Sequence, residues 1–137
     1  MKKGNKSKFL LFGLIFMVLL CMFSSCGKTA IEKADDYIEK LDKKQFEDCE
    51  WDSNLDENTK TYGVTVYLPY ESEDDYFGSE REMLEDIFEK FYPKLEKILS
   101  KDETIDNIGV MFSYSDGYYA NYMYMNGTMF NINDLFS

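Results

Sequence analysis

Residues 107–132 read NIGVMFSYSDGYYANYMYMNGTMFNI. Two dipeptides, Asp116-Gly117 and Asn126-Gly127, divide this stretch into three apolar-rich strands. Both dipeptides favour two-residue type I′ turns. With such turns Ser115 pairs with Tyr118, Phe112 with Asn121 and Val110 with Met123. In the second hairpin Met125 pairs with Thr128, and Met123 with Phe130. Cross-strand partners share a face of the sheet. One face then collects Ile108, Val110, Phe112, Tyr114, Tyr119, Met123, Met125, Phe130 and Ile132, which reads as the core side. The other collects Met111, Tyr118, Ala120, Tyr122, Tyr124 and Met129. Tyrosine and methionine provide large contact area with a polar or adaptable end. Met111, Tyr118, Tyr122, Tyr124 and Met129 are therefore a candidate partner-binding face. The competing reading is that tyrosine suits strands by propensity and that this side is a second, covered core.

Moving outward, "TYGVTVYLPY" alternates Tyr62, Val64, Val66 and Leu68 with Thr61, Gly63, Thr65 and Tyr67. That is the period of two of a half-buried strand, ended by Pro69. Ser79 with Glu82 three residues on forms a capping-box signature. Met83, Ile87, Phe88, Phe91, Leu95, Ile98 and Leu99 follow on one helical face, and Pro93 predicts a kink or break near residues 90–93. Ile31, Ala34, Ile38 and Leu41 mark an earlier amphipathic helix, with Thr29 as its N-cap. Phe46 and Trp51 pin a second short turn, and "DSNLDENTK" (52–60) reads as a polar loop. The predicted order is helix, strand, helix, strand, strand, strand. This is an α+β sandwich in which the strand at 61–69 joins the C-terminal antiparallel meander. The intervening helix permits a parallel pairing through a crossover.

The first 26 residues carry a different message. Lys2, Lys3, Lys6 and Lys8 form a positive head, and Phe9–Phe23 supply fifteen uncharged, mostly apolar residues. Ser24 and Ser25 then offer small side chains to a peptidase. This is the order of regions in a secretory signal, and the apolar run is short for a span of about 20 residues. "MFSSCGK" (22–28) resembles the lipobox of bacterial lipoproteins. The resemblance implies cleavage between Ser25 and Cys26, with Cys26 lipidated and the chain held at the cell membrane, facing outside the cytoplasm. Phe23 stands where the family usually has leucine. Leu20 is too bulky for Cys21 to serve. An uncleaved N-terminal anchor is the alternative. Residues 1–25 are thus a signal peptide, 26–29 a lipidated tether and 30–137 one domain. "YIEKLDKKQFEDC" (37–49) is similar to the front helices of small cystatin-like or NTF2-like bacterial lipoproteins.

Loss of the four signal lysines takes the formal net charge from −11 to −15. That excess argues against nucleic acid, whose phosphates demand Lys and Arg, and against a basic patch on anionic lipid. It suits a cationic protein or peptide partner, with acidic loops at 47–57 and 71–75 as a rim that speeds encounter. There is no histidine and a single arginine, Arg81. The commonest general base, the commonest metal ligand and any Ser-His or Cys-His arrangement are excluded. No Gly-rich phosphate loop is present. Asp52, Asn54 and Asp56 have the spacing of a calcium loop, but Glu57 and Gly63 stand where an EF-hand needs Gly and Glu. No metal, cofactor or catalysis is expected. With Cys26 acylated and Cys21 removed, Cys49 is left as a lone thiol, most simply a buried one. The functional reading is a non-catalytic, lipid-anchored binding or interaction module. The alternatives are an inhibitor or immunity-type lipoprotein that neutralises a basic toxin or enzyme, or an accessory subunit of a membrane complex.

Overall fold

The computed structural model describes residues 28–75 and 78–135. The expected signal segment and cleavage site, with Cys26, lie outside the described residues. Helix α1 (Ala30–Lys43) starts at Thr29, whose Oγ1 accepts from the Glu32 amide at 3.1 Å while the Thr29 amide donates to Glu32 Oε1 at 2.9 Å. Ala34, Ile38 and Leu41 are its buried stripe. Two strands follow, β1 (Glu50–Asp56) and β2 (Thr61–Tyr67), then helix α2 (Glu80–Leu99). Strands β3 (Asn107–Ser113), β4 (Tyr119–Met125) and β5 (Thr128–Asn131) lead to a single-turn helix, α3 (Ile132–Leu135). The fold is α+β. Its five-stranded open sheet has the order β1-β2-β3-β4-β5. β2 and β3 are parallel, joined through α2, and every other neighbouring pair is antiparallel.

Strand β1 corrects the polar loop expected at 52–60. Its outward residues, Glu50, Asp52, Asn54 and Asp56, are all polar, because it is an edge strand facing water on that side. Only Trp51 among the inward residues is large and buried, so the alternation is easy to miss. Alternate residues on a strand stand about 7 Å apart and do not converge, so Asp52, Asn54 and Asp56 are not a calcium loop. The break expected at Pro93 is also absent: α2 runs unbroken for 20 residues. Pro93 has no amide to give to the Glu89 carbonyl, but residue 93 lies on the exposed side, where water can take that place.

The first C-terminal hairpin differs from its expected register. Ser113 pairs with Tyr119, and the Tyr114 amide donates to the Tyr118 carbonyl at 2.8 Å. The loop is thus three residues, 115–117, instead of two. A type I′ turn needs positive φ at both central residues. Gly117 has it (φ +96°), whereas Asp116 is not among the positive-φ residues. Non-local bonds hold this geometry: the Ser115 amide donates to the Tyr70 carbonyl at 2.9 Å and the Asp116 amide to Glu71 at 3.3 Å. Further along, Met111 pairs with Met123. There β3 advances two residues while β4 advances four, a bulge that leaves the parity unchanged. Every residue of β4 is therefore on the face opposite to the expected one. The Asn126-Gly127 turn, with positive φ at both residues, keeps the expected pairs Met125–Thr128 and Met123–Phe130.

The two long helices cover one face. Its core runs through Trp51, Phe91, Phe88 and Tyr124, with the Trp51 and Phe91 rings 4.8 Å apart and the Phe88 and Tyr124 rings stacked at 3.6 Å. Ile108, Val110, Phe112 and Tyr114 are buried as expected. Ala120 and Tyr124 take the place expected for Tyr119, Met123 and Met125. Phe130 pairs with Met123 on the open side, and Ile132 belongs to α3. Cys49 is fully buried, and burial pushes its thiol up to about 12, with help from Glu47 and Asp48. It is a small hydrophobe at neutral pH.

The corrected parity makes a direct prediction. Tyr124→Ser should cost roughly 3–4 kcal/mol, the scale of emptying a buried aromatic site. Met123→Ser, on the open face, should cost less than about 1 kcal/mol. Urea titration of the two variants checks this, and the reverse ranking would restore the two-residue turn.

Candidate functional site

The uncovered face of the sheet is graded. At β1 it presents Glu50, Asp52 and Asn54. Toward β5 it presents Met111, Met123 and Phe130 in one cross-strand row. Helix α3 folds beside this row. A shallow cavity of about 370 Å³ lies between them, lined by Met111, Met123, Ile132 and Leu135 among others.

At one end of the sheet the face runs into a tip built from the loops at 71–75 and 115–118. Glu80, the first residue of α2, organises it. Its carboxylate accepts from the Tyr114 hydroxyl, from the Asn121 amide at 3.3 Å and from Asn121 Nδ2 at 3.1 Å. Asn121 Nδ2 also donates to Glu73 Oε2 at 3.0 Å. Asp116 Oδ1 accepts from the Tyr118 amide at 2.9 Å, closing the loop. A cavity of about 240 Å³ opens between Glu73, Asp74, Asp116, Tyr118 and Tyr119. Tyr119 and Asn121 line both this cavity and the apolar one beside α3. Tyr118 is 75% exposed and Tyr119 57%. Among the described residues Glu73, Asp74 and Asp116 are in no salt bridge.

The five residues expected to form one face are divided. Met111 lines the open apolar cavity and Tyr118 stands at the tip. Tyr122 and Met129 pack against the core from the helix side. Tyr124 is only 4% exposed, and burial raises its phenol to about 12. The parity change separates them. It also brings Tyr119, Met123 and Phe130 to the open side, residues that the sequence reading placed inside. The missed signal was the serine before Asp116-Gly117. It permits a three-residue loop with glycine in the left-handed position, which also suits a hairpin.

Among the described residues no cluster of His, Cys, Asp or Glu is arranged to hold a metal ion, and no helix is long and apolar enough to cross a membrane. Compared with known families, with characterised proteins and with solved structures, the chain matches none.

Proposed function

We propose that this chain is a lipid-anchored, non-catalytic interaction module facing outside the cytoplasm, and that its acidic, tyrosine-bearing tip binds a cationic protein or peptide. The observation that carries the reading is the pair of exposed tyrosines, Tyr118 and Tyr119, set beside Glu73, Asp74 and Asp116. Exposed tyrosines are enriched among the residues that dominate binding energy at protein interfaces. Carboxylates around them that are in no salt bridge among the described residues speed encounter with a positive partner. The apolar row through Met111, Met123 and Phe130 extends the same surface. The anchor rests on the positive head, apolar run and small-residue pair before Cys26. The non-catalytic reading rests on a chain without histidine. The same acidic tip suits the second reading, an inhibitor or immunity-type lipoprotein acting on a basic toxin or enzyme.

The test is the full chain with Tyr118→Ser and Tyr119→Ser together, captured with its partner after crosslinking in the producing cells. Capture should fall by at least roughly thirtyfold, the loss of one interface hot spot, and should weaken further with added salt. The thermal midpoint should not move, because both side chains face water. Unchanged capture would remove the tip as the binding surface. A lowered midpoint would mean that these tyrosines serve the fold.

A further inference from the structure

We propose that a lysine-lined cleft between α1 and α2 docks on the headgroups of an anionic bilayer, standing the domain on the membrane with its acidic tip turned away. The proposal rests on the anchored reading above and adds an orientation to it. Lys28, just before α1, and Lys33 on it line a cleft of about 710 Å³ with Lys94 and Lys97 of α2 and Lys101 just after it, and Ala30, Pro93 and Ile98 are its apolar walls. Five of the eleven cationic residues beyond position 26 gather here. Lys94 and Lys97 are three residues apart on α2 and share one helix face, and Lys101 follows in the turn after the helix. Lys28 pairs with Asp36, and Lys94 lies over the Tyr37 ring at 5.0 Å. Among the described residues Lys33, Lys97 and Lys101 are in no salt bridge.

Net charge is an average that conceals this cluster. The carboxylates acting on Lys28 are Asp36, Glu32 and Glu39. The acidic tip lies at the other end of α2, about 30 Å away for a 20-residue helix. The Debye length is about 8 Å in physiological salt, so the tip does not repel a surface at the cleft. The cleft, in contrast, is tied to the bilayer. The chain enters the described domain at Lys28, two residues after Cys26, a reach of about 7 Å. Lysines here are exposed point charges on flexible stems, without an arginine fork to grip one phosphate. That chemistry fits a diffuse sheet of anionic headgroups better than a single soluble anion. Each lysine near such a surface favours the docked state by roughly fivefold.

The experiment uses the full chain, purified from its membrane and reconstituted into phosphatidylcholine vesicles with or without phosphatidylglycerol. Lysines are labelled with a membrane-impermeant amine reagent and read by peptide mass. Lys97 and Lys101 should react at least roughly fivefold less in the anionic vesicles, and Lys60, in the β1–β2 turn, should react equally in both. Lys97→Glu with Lys101→Glu should restore the reactivity of Lys33 and Lys94 while the chain still floats with the vesicles. Equal reactivity in both compositions, with flotation intact, overturns the docking and leaves the anchor standing. Protection produced by inorganic phosphate in neutral vesicles overturns it in favour of a soluble-anion site. Failure to float in either composition removes the anchor and the docking with it.

Discussion

Replacing Phe112 by alanine should remove a large share of the domain's stability. Phe112 sits on β3, the central strand, paired with Val66 of β2, and is 1% exposed. Its ring meets Tyr124 edge-on at 6.3 Å, and Tyr124 in turn stacks on Phe88 of α2. The site is closed by the sheet on one side and by a helix on the other, so it cannot collapse around the void. Emptying such an aromatic site costs about 3–5 kcal/mol, against a total stability of about 5–15 kcal/mol for a domain. Urea titration should show an unfolding free energy lowered by about 3–5 kcal/mol. A loss below about 1 kcal/mol would mean that β3 faces the other way.

Several parts of this fold could be read directly from residue order, and the reasons are local. Thr29 and Ser79 announce their helices because each cap is satisfied within three residues. β2 announces itself because its inward residues are all apolar and its outward ones are not. β1 does not, because an edge strand with one wet face and a small inward residue, Ser53, resembles a loop. The register of β4 failed for a different reason. Its turn is held by the carbonyls of Tyr70 and Glu71, contacts some 45 residues away in sequence that no dipeptide preference encodes. One misplaced residue in a turn inverts a strand, and with it half of the candidate site. Met111 and Tyr118 survive at the open surface, whereas Tyr122, Tyr124 and Met129 do not. The lysine cleft was illegible because its members come from two helices that only the fold brings together.

The proposed anchor places lipid on Cys26, and Cys26→Ser takes away the thiol that would carry it. Two acyl chains hold a protein at a bilayer stably, since each buried methylene contributes about 0.8 kcal/mol, and loss of the thiol should remove both the lipid and the processing that depends on it. The labelling can be assigned to one residue. Cys49 is fully buried with its thiol pushed up to about 12, and is no acceptor in the folded chain. Cys21 would leave with the signal peptide. Cells producing the chain are fed radiolabelled palmitate, and the protein is then recovered and sized. The wild-type chain should carry label and run as the form that begins at Cys26. Cys26→Ser should carry none and run as the unprocessed precursor. Full labelling of Cys26→Ser would mean that Cys26 is not the lipid-bearing residue.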